Sequence, residues 1–271
     1  MGVLGPVVLT VNGAALVPGA PKTRQLLAFL MLNANQVVRA SECITELWGS
    51  QPPKSALSTL QTYVLHIRQI LRNASRVGQS DTLVTRNQCY QLVVHPQDLD
   101  RLQFEDLARL GRAAAAEGDD QRAGELFTCA LTLWRGPALA DVHAGPLSST
   151  HLVELEENRK GILEQRIEAD LRLGRHRELL DELGTLTSSH PTHENLHAQF
   201  MLALYRSDER TRALAVFRRL RFVLAETLGI EPAPPMQRLY EAVLAGDPAL
   251  DSPSSVRSRY PGRVAVDRSD Q

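Results

Sequence analysis

Apolar residues along this chain follow two different periods, and the change falls near residue 99. Before it, short alternating runs are mixed with helical ones. Residues 3–17 alternate loosely around Asn12-Gly13 (VVLTV-NG-AALV), and Asn-Gly between two apolar runs is the strongest short-range hairpin signal. KTRQLLAFLMLNAN follows Pro21, with Leu26, Leu27, Leu30 and Met31 on one face of a helix. Ser41 is the expected N-cap of a short second helix, ECITELWG, ended by Gly49. Pro52-Pro53 open a longer helix, KSALSTLQTYVLHIRQILRN, and TLVT and YQLVV are β-prone runs around RNQC. The order is hairpin, helix, helix, longer helix, β-ribbon.

From residue 99 onward strand signals vanish. FEDLARLGRAAAAEG, DDQRAGELFTCALTLWRG, LVELEENRKGILEQRIEADLRLG, RELLDELGTLTSSHP, ENLHAQFMLALYRS, ERTRALAVFRRLRFVLAETLG and PPMQRLYEAVLAG are mostly of helix length, broken by Gly, Pro or polar turns. Successive antiparallel helices with short turns predict a helical repeat. Ala123/Phe127 with Ala130, and Ala213/Phe217, share the A-x3-F spacing of tetratricopeptide repeats, although the full W-x2-L-G-x2-Y signature is absent. The last stretch, 249–271, is rich in Ser, Pro and Arg with little apolar content, and its composition predicts disorder.

The third helix has the most informative pattern. Leu57, Leu60, Val64, Ile67 and Leu71 fall within about 80° of one another on a 3.6-residue period and form the expected core stripe. The opposite face carries Ser55, Ser58, Thr59, Thr62, His66 and Gln69, flanked by Gln61, Tyr63, Arg68 and Arg72. No Asp or Glu occurs from Lys54 to Arg76. A solvated helix usually mixes both signs, whereas a helix lying along DNA uses Ser, Thr and Arg for phosphates and bases and avoids carboxylates. Helix, helix, recognition helix and ribbon is the winged helix-turn-helix plan, with the third helix in the major groove. On that plan Arg86 and Asn87 sit at the ribbon tip. Lys22 and Arg24 open the first helix, available for phosphates. Trp48 either packs at the helix-turn junction or points its indole N–H at a phosphate.

Charge agrees with this division. Residues 1–98 carry 8 basic against 4 acidic side chains, and residues 99–250 carry 18 against 24. A basic first third joined to an acidic remainder suits a polyanion-binding module and a separate body. The 271 residues, 43% hydrophobic and 23% charged, contain ample core material. The densest apolar run, LLAFLML at 26–32, is far short of a membrane span. No basic-plus-apolar leader is evident. Three widely spaced cysteines without a C-x-x-C pair fit a reducing cytoplasm rather than a disulfide or zinc framework.

These segments carry a specific resemblance. PKTRQLLAFLMLNANQVVRASECITELWGSQPPKSALSTLQTYVLHIRQIL and TLVTRNQCYQLVV resemble the N-terminal domain of the Streptomyces antibiotic regulatory protein family. DLDRLQFEDLARLG, ALTLWRGPALADV, LVELEENRKGILEQRIEADLRLGRHRELLDEL, HPTHENLHAQFMLALYRSDERTRAL and LRFVLAETLGIEPAPPMQRLYEAVL are similar to that family's bacterial transcriptional activator domain. The resemblance covers about residues 3–246. It implies an α+β winged helix-turn-helix of the response-regulator output type over 1–96, then an all-α tetratricopeptide-like domain over 99–248. It also implies a transcriptional activator of secondary-metabolite gene clusters that binds direct repeats in double-stranded promoter DNA and contacts RNA polymerase holoenzyme. Direct repeats imply protomers side by side, about one helical turn (~34 Å) apart. Two positions depart from the family pattern: Cys89 where Gly usually precedes the wing Tyr, and Ser207-Asp208-Glu209 where Ser-Gly-Arg is common. No G-x-x-x-x-G-K-[ST] is present, so the ATPase module of larger relatives is not expected, nor is any cofactor.

One motif points elsewhere. HENLH at 193–197 has the H-E-x-x-H form of zinc peptidases, with two His on one face and a Glu as base. The extended form would need Gly at 200 and His at 203, where the chain has Phe200 and Ala203. Glu209 lies at a turn and Glu226 in a different helix, so no third ligand is evident. Neither a metal site nor catalytic residues are expected. A third reading is a tetratricopeptide-like interaction scaffold, with Arg218, Arg219 and Arg221 or Glu154, Glu156 and Glu157 as contact strips.

Overall fold

The computed structural model describes residues 1–11, 14–74 and 82–252. The expected Asn12-Gly13 turn and the chain beyond Ser252 lie outside them. Two compact units divide the chain: Met1–Leu110 with Leu126–Ile162, and Gly111–Glu125 with the chain from Leu163 onward.

The first unit is built around a buried helix. Strands β1 (Thr10–Val11) and β2 (Ala14–Ala15) pair antiparallel, and α1 (Pro21–Leu32) follows with Pro21 presetting its first turn. Every residue of α1 from Gln25 to Leu32 is buried, because α2 (Ala40–Trp48), α3 (Ala56–Ala74) and the sheet all pack on it. That sheet has the order β3 (Val38–Arg39), β5 (Cys89–Leu92), β4 (Leu83–Arg86), antiparallel throughout. Helix α2 starts earlier than its Ser41 signal predicts. Pairing of Arg39 with Cys89 holds Arg39 extended, so it becomes the N-cap, and its N–H donates to the Glu42 carboxylate at 2.6 Å. Gly49, at φ +63°, ends α2 as expected.

In α3 the residues Leu60, Val64, Ile67 and Leu71 are buried, as their period predicts. Leu57 is not: it is 41% exposed. It sits at the edge of the stripe, and the small Ala56 takes the buried place in the first turn. The β4–β5 hairpin turns through Asn87 and Gln88 at φ +47° and +59°. Two successive positive φ values make a type I′ turn, whose twist matches the flanking strands. Cys89, where Gly is usual, lies in the strand opposite Arg86, so the left-handed backbone falls on its two predecessors. Asn tolerates this; Gln88 does so at a cost of about 1 kcal/mol, offset by Ala40 N–H donating to its carbonyl at 2.8 Å.

Two buried carboxylates tie sequence-distant segments into this unit. Asp100, at the start of α4 (Asp100–Glu117), accepts from the N–H groups of Val3 (2.8 Å) and Leu4 (3.1 Å) and from Arg135 Nη2 (2.8 Å). Glu46 of α2 accepts from the N–H groups of Gly145 (2.8 Å), Leu147 and Ser148 (both 3.0 Å). It thereby caps the N-terminus of α6 (Pro146–Arg172), satisfying donors that a helix cannot pair internally.

The second unit takes the end of α6 from Leu163, then α7 (Leu180–Ser189), α8 (Glu194–Arg206), α9 (Arg210–Leu228) and α10 (Pro234–Ala245). Its core runs from Ile167 and Leu171 through Leu196, Met201 and Leu204 to Leu220, Leu239 and Val243. Phe217 stacks on Tyr240 with centroids 4.2 Å apart. The residues of both A-x3-F motifs are buried, the first of them in α5 (Asp120–Thr132). Asp208 has φ +66°, so the departure from Ser-Gly-Arg puts an Asp, which tolerates the left-handed region better than most residues, where Gly would fit. Residues 249–252, which composition assigns to a disordered tail, are instead part of this unit. Leu250 is fully buried, and Arg206 donates to the carbonyls of Leu171, Leu250 and Ser252, each at 2.8 Å. Among the described residues no helix is long and apolar enough to cross a membrane.

Candidate nucleic-acid interface

Burying the Leu60–Leu71 stripe fixes the orientation of α3, so its other face is exposed by necessity. Lys54 and Ser55 precede the helix and are exposed, as are Ser58, Gln61, Thr62, His66, Gln69 and Arg72. Ser58 Oγ donates to the Ser55 carbonyl at 2.9 Å and Thr62 Oγ1 to the Ser58 carbonyl at 3.1 Å. Both hydroxyl oxygens keep lone pairs toward solvent. Thr59 and Tyr63 are half-buried at the margin. No carboxylate lies between Ala56 and Ala74.

Arg68 is half-buried and bridges to the wing. Its Nε donates to the Leu83 carbonyl at 3.1 Å and its Nη2 to Thr85 Oγ1 at 2.5 Å. It sets the ribbon against the helix, a role its place on the wheel does not reveal. Arg86 and Asn87 are exposed at the ribbon tip. Trp48 is half-buried and stacks on Tyr63, with centroids 6.4 Å apart, which anchors α2 against α3. Lys22 Nζ donates to the Leu47 carbonyl and, at 3.2 Å, to Gln25 Oε1. Arg24 donates to the Pro18 carbonyl at 3.0 Å and pairs with Asp141 at 3.2 Å. Structure thus groups Ser55, Ser58, Gln61, Thr62, His66, Gln69 and Arg72 on one open face with the wing tip beside them. Lys22 and Arg24 have partners within the fold.

Residues 14–92 match the family model "Transcriptional regulatory protein, C terminal", and residues 99–244 match "Bacterial transcriptional activator domain". The chain is 47% identical over 255 residues to Regulatory protein DnrI of Streptomyces peucetius, covering 93% of this chain and 94% of that protein. The chain belongs to the Streptomyces antibiotic regulatory protein family. Another relative is Regulatory protein AfsR of Streptomyces coelicolor, 41% identical over 249 residues, 92% of this chain but 24% of AfsR. In three dimensions the chain is similar to Mycobacterium tuberculosis EmbR in complex with a low affinity phosphopeptide, with a TM-score of 0.88 and 33% identity over 94% of this chain and 67% of that one. This antibiotic regulatory protein family member is a transcriptional regulator with a winged helix-turn-helix and an activator domain.

Within the family framework HENLH is helix-start architecture. His193 is the N-cap of α8, with Nδ1 accepting from Leu196 N–H at 3.5 Å and Nε2 3.0 Å from the Glu164 carboxylate. Glu194 accepts from Ala233 N–H at 2.7 Å. His197 is buried, and its Nδ1 donates to the His193 carbonyl at 2.9 Å. Burial holds the His197 imidazole below its ordinary value near 6.5, which favours the neutral ring. The unfolded chain therefore binds the extra proton first, and stability is full above pH 6.5 and falls as pH drops below it. Wild type should lose melting temperature relative to His197→Gln below pH 6.5, with the gap closing above it. A gap independent of pH excludes His197 as the titrating group. The candidate contact strips are partly engaged as well: Arg221 pairs with Glu231 at 2.7 Å, and Glu157 with Lys160 at 2.9 Å.

Proposed function

We propose that this protein activates a secondary-metabolite (antibiotic) biosynthetic gene cluster by binding direct repeats near promoters. Two protomers lie side by side on the DNA in the cytoplasm, and the helices after residue 99 recruit RNA polymerase holoenzyme. Residues 1–96 supply the DNA contacts and residues 99–248 the activating surface; the protein itself catalyses no reaction. The observation that carries this is the open, carboxylate-free face of α3 with the wing tip beside it. Ser55, Ser58, Thr59 and Lys54 suit phosphates. Gln61, Thr62, His66 and Gln69 suit base edges, and Arg72, Arg86 and Asn87 suit flanking backbone. Arg68, Trp48 and Tyr63 position that face, and Lys22 and Arg24 support the helix behind it.

The test is a fluorescence-anisotropy titration of the full chain on duplex from the promoters nearest its own gene, repeated across salt concentrations. Log affinity should fall linearly with log salt, by about 0.9 for each phosphate neutralised. Transcription from the same promoter with purified polymerase should rise with occupancy. Affinity indifferent to salt, or promoter binding that leaves transcription unchanged, overturns the corresponding half of the proposal.

A further inference from the structure

Leu65 is an apolar side chain among the exposed polar residues of α3, and it is 54% exposed. By helical spacing its neighbours are Gln61 and Thr62 one turn before and Arg68 and Gln69 one turn after, with Ser58 and Arg72 two turns away. None is apolar, and all but the half-buried, wing-bound Arg68 are exposed. A single exposed leucine is ordinary on a surface. This one stands on the face proposed to meet DNA, between the flanking Gln61 and Arg72 and the row of Ser58, Gln69 and Thr62.

We propose that Leu65 is a specificity residue that packs on the C5-methyl group of a thymine in the operator's major groove. The proposal rests on the DNA-binding reading above. In the major groove thymine presents that methyl beside its O4, and adenine presents the N7 and N6 pattern that a Gln amide matches with two hydrogen bonds. A leucine flanked by Gln61 and Gln69 one turn to either side therefore fits A·T pairs, the apolar side chain covering the methyl while an amide reads adenine. Guanine and cytosine offer no methyl at that place. Replacing thymine there loses the burial of one methyl group, about fourfold in affinity.

The experiment uses the full chain and an operator that it selects from a randomised duplex library. Each thymine of that operator is replaced in turn by deoxyuridine, which removes only the methyl. Wild type should lose about fourfold at one or two positions per repeat. Leu65→Ala should lose a similar amount on the unmodified operator and be indifferent to deoxyuridine at those positions. Leu65→Ala improves helix propensity and removes only part-buried surface from a residue more than half exposed, so thermal melting close to wild type is expected alongside. A flat deoxyuridine scan for wild type, or a variant that stays sensitive at the same positions, overturns the assignment and leaves Leu65 to a protein partner or the sugar-phosphate backbone. A chain that selects no sequence at all overturns the DNA-binding reading, and this assignment with it.

Discussion

Glu46→Ala should cost the first unit about 3–5 kcal/mol, since it leaves buried N–H donors without acceptors and uncaps a helix. Glu46 is 1% exposed, and its two oxygens serve three helix-start donors, of Gly145, Leu147 and Ser148, on either side of Pro146. The negative charge also sits at the positive end of the 27-residue α6. Glu46→Gln should be intermediate, since its amide keeps one acceptor oxygen but puts an NH2 group against a donor. Space around this contact is already used: a Cβ on Gly145 would lie 2.1 Å from the Glu46 carbonyl oxygen, so Gly145→Ala should destabilise too. Urea denaturation of the three variants checks this. A Glu46→Ala midpoint equal to wild type would remove Glu46 from the structural framework. The same contact bears on truncation. A chain cut after residue 98 keeps the winged helix in sequence but loses Asp100, Asp141, Gly145 and Ser148, which bind its backbone or side chains. Such a fragment should melt well below the intact protein.

This network marks the limit of what the sequence reveals. Signals that act over one or two turns were readable: the α1 and α3 stripes, the paired β4 and β5 runs, Gly49 as a stop, and the helices after residue 99. Each rests on a period of 2 or 3.6 residues and needs no knowledge of distant partners. Glu46 and Gly145 are 99 positions apart, and nothing local distinguishes Glu46 from the solvated Glu42 one turn before it. Arg39 became an N-cap because a strand from the far side of α3 holds it extended, which outweighs the local signal at Ser41. The turn at Asn87-Gln88 needed the strand register. Without it, nothing assigns the left-handed backbone to Asn87 and Gln88 rather than to Cys89. On α3 the polar face was legible from its lack of acid. Arg68 as a tether to the wing needed the position of Leu83, and Leu65 carries no signal of its own, since single exposed leucines are common.

Because the polar face is free of carboxylates, adding one is the most damaging change that leaves the fold alone. Gln61→Glu and Gln69→Glu are near-isosteric, change helix propensity little, and lie on exposed positions at either side of the centre of the face. Each should weaken operator binding by about 2–3 kcal/mol, on the order of a hundredfold, through like-charge repulsion with phosphates and loss of an amide that can match adenine. The two causes separate by salt. Repulsion between exposed charges fades once the Debye length falls below about 8 Å, whereas the missing amide is missing at every salt concentration. The deficit against wild type should therefore shrink as salt rises but not close. For comparison, Gln61→Ala and Gln69→Ala should show only the salt-independent part. Thermal melting identical to wild type confirms that the variants fold. If both glutamate variants bind operator duplex like wild type, this face of α3 does not meet DNA, and the absence of acid from Ala56 to Ala74 requires another cause.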